Sequence, residues 1–143
     1  FEPGWDTYVE RKGYLVEADK NFDEINPEDY HAVLFPGGRA PEYLRNHPRV
    51  MEILKHFHES GKFIFAICHG VQILLTAGLL DQKQVACYEH VKFEVESCGG
   101  VYQGDTEAVI DGKIVTGKTW QSHPEFYRAV FKCLGDEVMS YEV

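Results

Sequence analysis

Phe63-Ile64-Phe65-Ala66-Ile67-Cys68-His69-Gly70-Val71-Gln72-Ile73-Leu74-Leu75 decides how this chain folds. The run from Phe63 to Ile67 is short, unbroken by polar residues and rich in aromatic and β-branched side chains, which predicts a strand buried on both faces. Val71, Leu74, Leu75 and Leu79 then recur at helical spacing, with Gly78 near the stop. Only Cys68-His69-Gly70 separate the two elements, so the backbone must bend sharply, and a sharp bend presents the residue at its apex. Cys68 is that residue. The arrangement has the form of the nucleophile elbow G-x-S-x-G, with Cys for Ser and Ala66 in place of the first glycine.

A sulfur at the start of a helix faces unsatisfied N–H groups and the positive end of the helix dipole, so its pKa is expected below the free value of about 8.5. The ordinary alternative is that Cys68 packs as one more small hydrophobe, the common fate of a free cysteine. Two features argue against it. His69 follows directly, and Phe35-Pro36-Gly37-Gly38 ends a second apolar run, Ala32 to Phe35, at the same carboxyl edge where open α/β sheets place their sites. Both runs are expected to be central strands. The backbone N–H groups of Gly38 and His69 are then placed to receive an oxyanion.

Outward from this centre, β-rich runs alternate with helical stretches, the pattern of a mostly parallel sheet covered on both faces. Tyr14 to Ala18 alternates apolar and polar residues and reads as a strand, and Gln84 to Cys87 as a weaker one. Ala108-Val109-Ile110 and Ile114-Val115-Thr116 flank Asp111-Gly112, a hairpin near an edge. Asn26 to Asp29 reads as a short capped turn. Pro48 opens a helix carrying Val50, Ile53, Leu54 and Phe57 and ending at Gly61; further helices are predicted over His90 to Ser97 and His123 to Leu134. Repeats, low-complexity tracts and an interdomain linker are lacking.

The length of 143 residues fits one domain, and 44% hydrophobic with 26% charged residues is the balance of a globular chain. A net charge of −9 repels phosphate backbones and anionic lipids, which argues against nucleic acid and membrane partners. The apolar runs fall far short of the ~20 residues of a membrane span. Four cysteines without a C-x-x-C pair or a signal-like start suit a reducing, cytoplasmic setting with free thiols. With neither G-x-G-x-x-G nor a Walker motif, the chemistry is expected to need no cofactor.

Pro36-Gly37-Gly38-Arg39-Ala40-Pro41-Glu42, followed by Cys68 within Ala-Ile-Cys-His-Gly, resembles the DJ-1/PfpI family, most closely its PfpI-like and plant DJ-1-like branch. The likeness runs from about Tyr14 to Leu134. It implies a flavodoxin-like three-layer α/β sandwich, and activities reported for the family include cysteine peptidase, glyoxalase III and a disputed deglycase. Carried over by position, Cys68 matches the nucleophile, His69 the adjacent histidine, and Gly38 with His69 the oxyanion donors. Glu42 matches a carboxylate that reaches the histidine from a neighbouring subunit, which implies a homo-oligomer; its ordinary alternative is a carboxylate offsetting the dipole at a helix start. Family members also carry an upstream strand and helix with a glutamate bonded to the cysteine. Glu2 and Glu10 do not match that residue, so residues 1–143 are expected to form a single DJ-1/PfpI domain incomplete at its N-terminus.

The leading expectation is therefore an enzyme whose Cys68 attacks a small reactive carbonyl, without glutathione, or a peptide. A redox-sensing or chaperone-like protein oxidised at Cys68 is a second class, and a non-catalytic relative a third. Glutamine amidotransferases also use an elbow cysteine, and His123 with Glu125 imitates their His-x-Glu spacing, but the Cys68-His69 adjacency does not fit them. His47, His56 and His58 surround one helix on different sides, a poor metal site and a better solvated face. Trp120-Gln121-Ser122-His123-Pro124-Glu125 either lines a pocket or starts the last helix, with the helix start favoured. Tyr88 stands where some DJ-1 proteins have a second histidine. Cys87, Cys98 and Cys133 are expected to pack in the core or to be spectators.

Overall fold

The computed structural model describes residues 13–140, with side chains through residue 135. Its strands are β1 (Ala32–Phe35), β2 (Phe63–Ile67), β3 (Gln84–Val85), β4 (Val101–Tyr102), β5 (Ala108–Asp111) and β6 (Ile114–Gly117). The helices are α1 (Ala40–Leu44), α2 (Pro48–Glu59), α3 (Val71–Thr76), α4 (Lys92–Ser97) and α5 (His123–Ser140). The main sheet has the order β1-β2-β6-β5, and β3 and β4 form a separate parallel pair. β1, β2 and β6 run parallel, while β5 returns antiparallel through the Asp111-Gly112 hairpin at the edge. Helices on both faces complete the flavodoxin-like sandwich.

β2 organises the core because both of its faces are covered. Ile64 and Ala66 turn towards Val50, Ile53, Leu54 and Phe57 of α2 and Val71 and Leu74 of α3, in one buried cluster. Phe63, Phe65 and Ile67 turn the other way, onto Phe126, Val130 and Cys133 of α5, with Val115 of β6. This is the period-2 alternation of a strand clad on two sides, and it explains why the run is apolar throughout. Each large buried side chain contributes roughly 1.5–3 kcal/mol by leaving water.

Several expectations hold in detail. Asn26 caps the 3-10 turn Pro27–Asp29 with its side-chain oxygen, and the helical spacing after Pro48 matches the buried residues of α2. Others need correction. Tyr14 to Ala18 is not a strand: the segment has no regular structure, and Tyr14, Leu15 and Val16 are exposed. Alternation makes a strand only when a ladder partner and a buried face exist, and the segment finds neither among the described residues. β1, expected to be central, has β2 as its one neighbour among the described strands. A continuous apolar run reports cover on the faces, not the number of ladder neighbours. The strand at Gln84 stops at Val85, and α5 runs on through Gly135 to Ser140, because one glycine costs a helix only about 1 kcal/mol. No helix among the described residues is long and apolar enough to cross a membrane.

A buried hydrogen bond ties the segment after β3 to the sheet. Thr116 on β6 is fully buried, and its Oγ1 accepts the Ala86 N–H at 2.9 Å. Tyr88 lies two residues further on. Thr116→Val keeps the shape and removes the acceptor, so unfolding in urea should show a loss of about 1–3 kcal/mol, the cost of a stranded buried N–H, while Thr116→Ser should recover most of it.

Candidate active site

Register brings the two strand ends together. Phe35 pairs with Ala66 across β1 and β2, so both strands leave the sheet at one edge. Ile67 is still extended at φ −131° and ψ 144°, Cys68 switches to φ +59°, and Gly70 is already helical at φ −55°. The reversal is complete within three residues, with Cys68 in the left-handed region that L residues avoid at a cost of roughly 1–2 kcal/mol. Two glycines permit the turn. A Cβ on Gly70 would stand 2.2 Å from the Phe35 carbonyl oxygen, and one on Gly37 would stand 2.8 Å from the Cys68 Cβ. Only glycine lets these backbones touch.

The apex thiol is half-buried. The Nδ1 of His69 lies 3.5 Å from its Sγ. Burial pushes the Cys68 thiol up from its ordinary pKa, and backbone hydrogen bonds from His69 and Gly38 pull it down by less. The expected fall below the free value is therefore corrected. The reason is desolvation: the 3-10 turn Cys68–Gly70 and α3 are short, and their few N–H groups do not outweigh the loss of water around a thiolate. The backbone N–H groups of Gly38 and His69 nevertheless reach the Cys68 sulfur. Cys87 is fully buried, and its thiol is pushed up to about 12, by burial first and then by Cys68, Glu94 and Glu96. Cys133 is buried as well, whereas Cys98 is exposed.

Around the thiol opens a cleft of about 1040 Å³ that includes Gly38, Glu42, Cys68 and His69 in its lining. Glu42 sits in the first turn of α1, as the ordinary alternative held, and pairs with Arg39 at 3.5 Å. It therefore faces the cleft of its own chain. The Trp120 to Glu125 segment serves both of its readings: Trp120–Ser122 is a 3-10 turn that leads into α5, while Trp120 and His123 line the cleft. Tyr88 lines the cleft too, its ring centroid 5.0 Å from that of His69. Tyr127 also lines the cleft, with its ring 5.6 Å from His123. Sequence reasoning missed it, although its position one turn after His123 was a usable signal. His47 and His58 are exposed and His56 hydrogen-bonds with Ser60 at 3.3 Å, away from the cleft.

The DJ-1/PfpI family model matches residues 3–133. Protein DJ-1 homolog D of Arabidopsis thaliana is 40% identical over 138 residues, covering 94% of this chain and 36% of the plant protein. Protein/nucleic acid deglycase 2 of Escherichia coli is 36% identical over 121 residues, covering 84% of this chain and 70% of that protein. Among solved structures, a two-domain Anabaena variabilis protein with DJ-1/ThiJ/PfpI-like and ferritin-like domains superposes with a TM-score of 0.80 at 30% identity. The match covers 84% of this chain and 34% of that one. The chain thus corresponds to about a third of the plant protein and of the two-domain protein.

The direction of the thiol's shift has a measurable consequence. The pH profile of Cys68 alkylation by iodoacetamide, followed by site-resolved mass spectrometry, should have its midpoint above the free-thiol value of about 8.5. A midpoint below it would show that the N–H groups outweigh burial.

Proposed function

This chain belongs to the DJ-1/PfpI family, and on that premise we propose that it is a cysteine-dependent enzyme acting on reactive carbonyls, with Cys68 as nucleophile. The observation that carries the reading is the elbow itself. A strained Cys68 at φ +59° faces an open cleft with two backbone N–H groups aimed at it. Backbone strain of this kind persists only where surrounding structure holds it, and it concentrates at functional sites. The deglycase name of the Escherichia coli relative supports an enzymatic reading.

The chemistry follows from a thiol that rests protonated. His69 Nδ1 takes the thiol proton as the sulfur attacks the aldehyde carbon of an α-oxoaldehyde, and the carbonyl electron pair moves onto oxygen. The N–H groups of Gly38 and His69 transfer from sulfur to that oxygen, which His69 then protonates, giving a hemithioacetal. His69 next removes the hydrogen from the former aldehyde carbon and a proton returns to the neighbouring carbon. The first carbon is thereby oxidised to a thioester and the second reduced to an alcohol, with no external electron carrier. Water adds to the thioester, the sulfur leaves and regains its proton, and the product is a 2-hydroxy acid. Overall, one oxoaldehyde and one water give one hydroxy acid.

Glu42, which the family resemblance assigns to orienting the His69 of an adjacent copy, pairs with Arg39 at 3.5 Å at the lining of its own cleft, so its proposed part in the reaction depends on subunit pairing. A peptide would meet the same nucleophile and N–H groups and be hydrolysed through an acyl-enzyme. The small carbonyl is preferred because the sequence likeness extends to the plant DJ-1-like branch, at 40% identity to the Arabidopsis thaliana relative. The sensor reading is weakened by the burial that keeps Cys68 protonated, because oxidation by peroxide proceeds through the thiolate.

With methylglyoxal and no glutathione, the protein should form lactate, detected by a stereospecific lactate assay. Cys68→Ala should abolish the product, and His69→Ala should lower kcat by about 10²–10⁴-fold, the usual share of a general base. Lactate formation by Cys68→Ala would remove the thiol from the reaction.

A further inference from the structure

We infer that the cleft selects carbonyl substrates that carry an aromatic group, an aryl α-oxoaldehyde over the three-carbon one. The inference rests on the reading of Cys68 as the nucleophile and specifies what stands beyond the reacting carbon. Its basis is a set of rings that the nucleophile and its base do not account for. Tyr88, Trp120, His123 and Tyr127 all line the cleft. Trp120 leaves 72% of its surface open to water and Tyr127 leaves 38%, in a concavity rather than on a convex surface.

Exposed aromatic surface gathered in a cleft marks a binding groove, because large apolar side chains are otherwise driven inside. The turn beneath Trp120 and the ring of Tyr88 are also held in place. The 3-10 turn bearing Trp120 is fixed by Ser122, fully buried, whose hydroxyl donates to Glu107 and accepts the Thr119 N–H. Tyr88 is set between His69 and His90, with ring centroids 5.0 Å away on each side. A ring entering the cleft would meet pre-placed faces and edges, the arrangement in which aromatic pairs attract beyond simple burial. A methyl group in the same place would touch little of this wall, and a cleft of about 1040 Å³ would stay largely wet around it.

On an aryl oxoaldehyde the steps are those given above, with the aromatic group on the carbon that becomes the alcohol; one water is consumed and an aryl 2-hydroxy acid leaves. Recognition can be read separately from turnover with two α-haloketones, phenacyl bromide and bromoacetone. In each the thiolate displaces bromide, forming the S–C bond as the C–Br bond breaks, while the thiol proton goes to solvent. The readout is the ratio of phenacyl to acetonyl rates at Cys68, divided by the same ratio for a small free thiol, so that intrinsic reactivity cancels.

The normalised ratio should be tenfold or more above one. Trp120→Ala combined with Tyr127→Ala should bring it back towards one, and Trp120→Phe should retain most of it. Phe93→Ala, which removes an equally exposed ring on α4 away from the cleft, should leave it unchanged. A ratio near one in the unaltered protein, or one that survives the loss of both rings, overturns the inference. Turnover keeps the two proposals apart. Methylglyoxal converted to lactate with a ratio near one sinks aryl selection alone, whereas a high ratio with no hydroxy acid from methylglyoxal or phenylglyoxal sinks the lyase reading alone.

Discussion

The contact on which the site depends is the touching of two backbones, Gly70 against the carbonyl of Phe35. Because a side chain at position 70 would stand 2.2 Å from that oxygen, the start of the elbow helix can lie flush with the end of β1 only if position 70 is glycine. Gly37 repeats the condition one step on, against the Cβ of Cys68. Parallel pairing of β1 with β2 supplies the rest, since it delivers both strand ends to one edge in register. The apex thiol, the N–H groups facing it and the floor of the cleft are therefore consequences of a single close approach.

That geometry sets two electrostatic effects against each other. Burial between strand ends penalises a thiolate, while Gly38 and His69 N–H groups stabilise one, and burial is the larger. The outcome suits the proposed reaction, in which the sulfur is charged only as it reacts. In that proposal the N–H groups pass from sulfur to the oxygen that develops charge, which is where preorganised dipoles act most strongly. A chain of net charge −9 adds a general bias against standing anions.

Besides α1 and α5, irregular segments contribute to the cleft or lead up to it, and polar contacts tie them down. Lys62 donates to the carbonyls of Pro27, Glu28 and Tyr30 at 3.0, 3.3 and 2.7 Å, clamping the approach to β1. Thr116 holds Ala86, and with it the path to Tyr88. Ser122 and Glu107 hold the turn that carries Trp120. Gln72 and Arg45 both reach Glu94, at 2.9 and 3.3 Å, and so join α1 and the elbow helix to α4. Such side-chain clamps let irregular backbone present functional groups as rigidly as a helix or strand does.

The sequence by itself determined β2, the bend at Cys68, the helix after Pro48 and the Asp111-Gly112 hairpin, because apolar period and turn chemistry are properties of neighbouring residues. It also placed Gly38 and His69 opposite the thiol, since strand ends in a parallel sheet have few places to go. Only the tertiary structure decided that Tyr14 to Ala18 finds no ladder, that β1 has one strand neighbour among those described, and that β3 pairs with β4. It alone assembled Tyr88, Trp120, His123 and Tyr127 into one wall and raised the Cys68 pKa instead of lowering it. Pairing, ring juxtaposition and desolvation are set by residues far apart in the chain, and no local pattern records how closely those residues will meet.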